Sequence, residues 1–160
     1  MSEKQRRWDR HFLDLAFAHA KMSKDPSTKV GAVIVGPDLE LRSAGFNGFP
    51  RGIADTAERL HDREVKLSFI VHAEMNAILA AARVGTPLKG CSMYVMATGT
   101  DGATWGGPPC VRCIVEALQA GITSFISIRR KAVPSRWNKS LFLSENLLRE
   151  AGAVYREVLY

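Results

Sequence analysis

His72-Ala73-Glu74 and Pro109-Cys110-Val111-Arg112-Cys113 are the residues of this chain whose types and spacing could do chemistry. A catalytic zinc takes three protein ligands and keeps one position open, whereas a structural zinc usually takes four. Cys110 and Cys113 form the one CxxC and the remaining cysteine, Cys91, stands alone, so a four-cysteine site is excluded by counting. His72 completes a His-Cys-Cys set with a vacant position. Glu74 follows His72 by two residues at the start of an expected helix, from where its carboxylate could reach a water at that position without binding the ion. Zinc lowers the pKa of such a water to about 7. The combination reads as hydrolysis. Taken singly, a CxxC could be a redox pair, and a histidine ahead of an apolar helix could be structural. Together, with a proline before Cys110 and the glutamate in place, they point to a hydrolytic zinc site. A non-enzymatic zinc module would leave Glu74 without a purpose.

The elements around these residues follow from periodicity. Residues 6–22 carry Trp8, Phe12, Leu15 and Ala16 near helical spacing and predict an amphipathic helix, with His19 as a packing residue. Two β-rich runs, 30–35 and 39–46, joined by Gly36-Pro37-Asp38, predict an antiparallel hairpin. Helices are expected over 72–83, 110–120 and 137–151, and strands over 91–97, 122–128 and 154–159. This order implies an α/β fold of three layers, α/β/α, with a mixed five-stranded sheet in the order 2-1-3-4-5. His72 and Cys110 would then both sit at helix N-termini, whose partial positive charge favours thiolate over thiol. Cys110 and Cys113, three residues apart, share one helix turn.

A chain of 160 residues fits one domain, residues 1–160, and can bury a core without staples. The charged N-terminus shows no secretory signal, and the longest strongly apolar stretch, 30–35, is far too short to span a bilayer. Three cysteines, two of them committed to metal, suit a reducing cytoplasm. The net charge of +6 favours anionic partners without choosing between a nucleotide and a nucleic acid. The one tight basic run is Arg129-Arg130-Lys131, read as a solvated strand end or as a phosphate contact.

The order H-x-E followed by P-C-x-x-C is the known signature of zinc deaminases. Beyond it, the chain carries Ser23-Lys24-Asp25-Pro26 leading into 30–35, then Asn47-Gly48-Phe49-Pro50-Arg51-Gly52, His72-Ala73-Glu74-Met75-Asn76-Ala77-Ile78, Lys89-Gly90-Cys91-Ser92-Met93-Tyr94-Val95 and Ala120-Gly121-Ile122. In these segments, from the first helix to the last strand, it resembles the deoxycytidylate deaminases of the cytidine deaminase superfamily. Because the zinc motifs are shared across the superfamily, the segment 47–52 separates this family from tRNA adenosine deaminases.

The resemblance implies a cytidine-deaminase-like fold, Zn2+ held by His72, Cys110 and Cys113, and Glu74 as proton shuttle. Asn47 would hydrogen-bond the deoxyribose or pyrimidine, although Asn-Gly is also a turn-forming dipeptide. Lys24 and Arg51 are the phosphate candidates nearest the substrate-linked motifs; Arg59, Arg63 and Lys66 lie in a charged stretch that is either a phosphate contact or an exposed connector. The implied reaction is attack of water at C4 of deoxycytidylate, with Glu74 moving protons to N3 and to the leaving amino group, giving deoxyuridylate and ammonia. A homo-oligomer, hexameric or dimeric, is implied, and so is control by deoxycytidine triphosphate and thymidine triphosphate, although the sequence marks no effector site. No membrane or nucleic-acid partner is expected; a nucleic-acid deaminase is the rival reading that the positive charge supports.

The chain departs from the family between Tyr94-Val95 and Pro109, where residues 98–107 intervene with four glycines, Asp101 and Trp105. This insertion is either a lid or specificity loop, with Trp105 stacking on a base or capping the site, or else an oligomer contact or a tolerated surface loop. It admits 5-substituted deoxycytidylate as a substrate.

Overall fold

A computed structural model describes residues 2–130 and 135–160. Lys131, the last residue of the basic run, lies outside the described residues. The strands are β1 (Thr28–Val35), β2 (Leu41–Phe46), β3 (Ser92–Gly99), β4 (Thr104–Trp105), β5 (Ser124–Ile128) and β6 (Val154–Val158). They form one sheet in the order β2-β1-β3-β5-β6, with β4 paired to β3. The β1–β2, β1–β3 and β3–β4 pairs are antiparallel, and β3–β5 and β5–β6 are parallel. The five expected strands keep their expected order. The sixth is an addition: β4 has only two residues, too few to show a period of two, and sits among the glycines of the insertion.

The helices are α1 (Glu3–Ala20), α2 (Ala57–His61), α3 (Arg63–Phe69), α4 (Ala73–Val84), α5 (Val111–Gln119) and α6 (Asn138–Glu150). Alternation along β3 divides the core in two. Met93 and Val95 face Ala73, Ala77, Ile114 and Ala117 of α4 and α5, while Tyr94 and Met96 face Phe12, Leu13 and Ala16 of α1. The expected three layers follow from this division. Among the described residues no helix is long and apolar enough to cross a membrane.

Helices α2 and α3 occupy the stretch that the sequence left as a charged connector or phosphate contact. They are too short for an apolar period and start instead from caps: Asp62 Oδ1 accepts the backbone N–H groups of Glu64 and Val65 at 3.0 and 3.1 Å. Lys66 of α3 points inward, onto Asp25 Oδ1 at 3.2 Å and Ser27 Oγ at 3.0 Å. Asp25 also accepts the N–H groups of Ser27 and Thr28, so Ser23-Lys24-Asp25-Pro26 fixes the entry into β1.

A polar network fastens α1 to the far edge of the sheet. Asp9 of α1 is fully buried; it accepts from Tyr94 Oη at 2.8 Å, Gln5 Nε2 at 3.0 Å and both terminal nitrogens of Arg156, at 2.5 and 3.0 Å. Burial pushes the Asp9 carboxyl up, but the hydrogen bonds from Arg156, Gln5 and Tyr94 more than offset it and hold it below the usual carboxylate value.

Candidate active site

Two helix N-termini bring the predicted ligands together. His72 is the N-cap of α4 and Cys110 the N-cap of α5, both with extended backbone (φ −66°, ψ 155° and φ −60°, ψ 156°). Neither side chain caps its own helix. Instead His72 Nδ1 lies 3.5 Å from Cys110 Sγ and 3.3 Å from Cys113 Sγ, and the two sulfurs are 3.4 Å apart. A tetrahedral zinc with its usual bond lengths gives S···N edges of about 3.6 Å and S···S edges of about 3.8 Å. The triangle is already near that size. Two sulfurs and an imidazole nitrogen are also the donor types zinc takes, so these residues fit the ion. Among the described residues this is the one such group able to hold a metal, and Glu74 is not part of it.

The electrostatics of the triangle suit a cation. Its hydrogen bond to Cys113 lowers the Cys110 thiol to about 4 against the opposing effect of burial, and His72 assists. Cys113 moves up through that same hydrogen bond and through burial, so the pair carries a single thiolate. The hydrogen bond to Cys110 raises His72 to about 9, burial opposes it, and the negative charges of Glu74 and Cys110 add to the rise. A divalent ion here would displace the protons on Cys113 and His72.

Glu74 occupies the second position of α4 and is 5% exposed. Burial, then the Cys110 charge, moves its carboxyl up, and its carboxylate accepts a hydrogen bond from Cys113. The predicted acid/base therefore stands against the ligand triangle with a raised affinity for protons.

The helices are held in place by contacts that sequence patterns do not reveal. A Cβ on Gly45 of β2 would lie 2.5 Å from Ala77 N and 2.6 Å from Ala73 O, so glycine lets α4 seat directly on the strand. Asn76 Nδ2 donates to Phe46 O at 2.8 Å, and Ser43 Oγ donates to Ala77 O at 2.6 Å. On the other side, Ser144 of α6 is fully buried and its hydroxyl donates to Pro109 O at 2.8 Å. Ser140 Oγ accepts the Val111 N–H at 3.0 Å. Since the sulfur of Cys110 is turned to the triangle, Ser140 acts as a borrowed cap for α5. The only sequence signal for this pair was two serines four residues apart on one helix face. Ser140→Ala is expected to cost about 1 kcal/mol and to lower the melting temperature by roughly 2–4 °C. Thermal denaturation of the zinc-loaded protein measures it; an unchanged midpoint would remove Ser140 from this role.

The substrate candidates divide. Asn47 is buried, and Gly48 and Val71 exchange backbone hydrogen bonds at 3.1 and 2.9 Å, which lays Gly48 along the residue preceding His72. The Asn47 amide accepts from Val30 N at 2.8 Å and donates to Thr28 O at 2.9 Å. It is a staple on β1, with one acceptor and one donor position left over. Lys24 is exposed and pairs with Asp55 at 3.0 Å. It lines a surface groove of about 550 Å³ with Lys21, Lys29 and the turn at Thr98–Thr100, and none of the triangle residues lines that groove. Arg51 is exposed in the turn closed by Ile53 N and Pro50 O at 3.1 Å. Of the basic run, Arg130 is ion-paired to Glu145 and Glu157, which makes it a tie between β5, α6 and β6.

Comparison with known proteins agrees with this geometry. Residues 6–128 match the cytidine and deoxycytidylate deaminase zinc-binding region. This chain belongs to that deaminase family. It is 35% identical over 147 residues to an uncharacterized deaminase of Aliivibrio fischeri, covering 91% of this chain and 90% of that one. It is 34% identical to the deoxycytidylate deaminase of Mus musculus, covering 94% and 79%, and 37% identical to that of Homo sapiens, covering 78% and 66%. Among solved structures, the dCMP deaminase of cyanophage S-TIM5, in complex with dCMP and dUMP, superposes with a TM-score of 0.71 over 99% of both chains at 18% identity. That likeness shows the cytidine-deaminase-like fold. The chain is a deaminase, and its triangle lies within the residues that match the family's zinc-binding region.

Proposed function

We propose that this deaminase hydrolyses deoxycytidylate to deoxyuridylate and ammonia, with zinc held by His72, Cys110 and Cys113. The observation that carries the chemistry is the near-tetrahedral ligand triangle with the buried, proton-accepting Glu74 against it. The substrate class is supported by the mammalian relatives at 34 and 37% identity.

A zinc ion held there would supply a Lewis-acidic position at which water ionises near neutral pH. Glu74 takes the proton of the attacking water, holds it in a carboxyl whose burial favours the protonated form, and passes it to N3 as oxygen adds at C4. A second proton, taken by Glu74 from the hydroxyl now on C4 and passed to the amino group, lets ammonia leave as the C4 carbonyl forms. One water is consumed, one ammonia is released, and Glu74 ends as it began. The facing N-termini of α4 and α5 favour the negative charge that develops during attack. Asn47 offers its remaining donor and acceptor to the sugar or base, and Arg51, exposed in the turn that follows Phe49, is the candidate cation for the phosphate.

Exposed Leu79, Val84, Val115 and Phe142 on α4, α5 and α6 support a homo-oligomer. Three free cysteines support a reducing cytoplasm. Control by deoxycytidine triphosphate and thymidine triphosphate belongs to the same proposal.

The test is ammonia release from deoxycytidylate, 5-methyl-deoxycytidylate, deoxycytidine, deoxycytidine triphosphate and an adenosine-containing tRNA stem-loop, each with either triphosphate effector added. Preference for the monophosphates is expected, and equal rates on the two monophosphates would extend the substrate to C5-substituted rings. Activity on the stem-loop alone would make this a nucleic-acid deaminase and the net charge its footprint.

A further inference from the structure

The insertion at residues 98–107 is a fixed part of the sheet. Gly99 N and Ala103 O close its turn at 3.0 Å, and Ala103 N donates to Asp101 Oδ1 at 3.0 Å. Its return strand, β4, pairs with the free end of β3 through Ala97↔Trp105 and Thr98↔Thr104. Beyond β4 the backbone is packed so closely that a Cβ on Gly106 would lie 1.7 Å from Ile128 O, and Gly107 N donates to Ser127 Oγ at 3.3 Å. The hairpin therefore delivers Pro108 and Pro109 to Cys110 along a determined path.

The register decides which face Trp105 occupies. Met93 and Val95 face α4 and α5, so Ala97, two residues on, faces the same way. Trp105 lies directly opposite Ala97, and Val30 lies opposite it on the other side. Asn47 hydrogen-bonds Val30 in turn. Asn47, Val30, Ala97 and Trp105 thus form one row across the sheet, at the end where β2 meets the N-terminus of α4 and on the face that carries His72.

The indole is also poorly explained by packing. Trp105 is half-buried, and its Nε1 is sealed from solvent without a hydrogen-bond partner. A buried donor left unpaired is destabilising, and phenylalanine would fill much of the space without it. Such a donor in a native site calls for a reason outside the fold.

We propose that Trp105 forms one wall of the nucleobase site and determines how tightly the pyrimidine ring is held, the indole turning when a nucleotide is bound so that its now sealed N–H meets an acceptor. The inference rests on the deaminase reading above. An indole offers a broad apolar face to a planar base, and a contact of that kind changes binding by tenfold or more when removed.

Trp105→Phe and Trp105→Ala separate the N–H from the wall. With zinc-loaded protein, Trp105→Phe is expected to melt at or above the wild-type temperature yet raise KM for deoxycytidylate by about threefold or more. Trp105→Ala is expected to raise KM by about tenfold or more with kcat changed far less, and to shift the ratio of KM values for 5-methyl-deoxycytidylate and deoxycytidylate. Binding of deoxyuridylate is expected to change the tryptophan emission of the wild type, and Trp105→Phe should remove that change. An active wild type whose two variants keep KM within twofold would overturn the inference alone. So would a loss of activity that tracks a change in assembly size, since Trp105 would then act at an interface. A wild type that releases no ammonia from deoxycytidylate would overturn the functional reading, and this inference with it.

Discussion

Replacing Glu74 with glutamine is expected to lower turnover of deoxycytidylate by about 10³-fold or more while zinc stays stoichiometric. General acid–base groups contribute roughly 10²–10⁴-fold, and in the proposed mechanism Glu74 serves both the addition of water and the departure of ammonia, so the upper half of that range is expected. Glutamine matches the carboxyl in shape, coordinates nothing the triangle needs, and cannot carry a proton between water, N3 and the amino group. The fold should tolerate it. Glu74 is 5% exposed, and its burial already disfavours the charged form, so an uncharged isostere removes a cost of burial. Initial rates of ammonia release, metal content and a thermal melt on one preparation make the comparison. A variant within tenfold of the wild type would remove Glu74 from the chemistry, and one that loses its zinc would make Glu74 a support of the metal site.

The second large effect concerns stability. Arg156→Met is expected to cost about 3 kcal/mol, the lower end of what breaking a buried ion pair costs, because Arg156 is itself 31% exposed. For a chain of this size that is a fall of roughly 6–12 °C in melting temperature. The loss comes from Asp9, which would stay fully buried with Tyr94 and Gln5 among its remaining hydrogen-bond donors. The same network predicts a pH dependence. Asp9 binds protons more weakly folded than unfolded, so its contribution is complete above the ordinary carboxylate pKa near 4 and is lost as pH falls below that toward the depressed folded value. The gap between wild type and Arg156→Met should therefore narrow below about pH 4. A gap that stays constant with pH would show that Arg156 contributes packing alone, and adding Asp9→Asn to the variant should recover part of the loss only if the buried charge is its cause.

Local spacing is what made the site legible. A CxxC at the start of a helix puts both sulfurs on one turn, and H-x-E at another start puts the histidine at the cap and the glutamate beside it. Chain geometry over a few residues fixes these, and His72, Glu74, Cys110 and Cys113 meet as expected. What joins distant segments left no pattern to read. Asp9 and Arg156 are 147 residues apart in sequence, and Ser140 reaches Val111 across 29. The Asn47-Gly48 dipeptide offered a turn as one reading, whereas Asn47 is a bend at the end of β2 and Gly48 pairs with Val71, and nothing in it revealed that the amide would be occupied by β1. The charged stretch around Lys66 read as a phosphate contact or an exposed connector, and nothing local showed that Lys66 turns onto Asp25 and Ser27. Helices α2 and α3 and strand β4 escaped because each is too short for its period to repeat recognisably. The glycines of the insertion left a lid, a specificity loop, an oligomer contact and a surface loop all open, and nothing in their spacing showed that Gly106 lets the backbone approach Ile128.

The measurement closest to the central claim is the conversion of deoxycytidylate by zinc-loaded protein in ¹⁸O-labelled water, following ammonia and nucleotide together. Hydrolysis guided by Glu74 predicts one ammonia for each deoxyuridylate formed and one label on its C4 oxygen. Deoxycytidylate recovered unchanged, or deoxyuridylate without the label, would contradict the account.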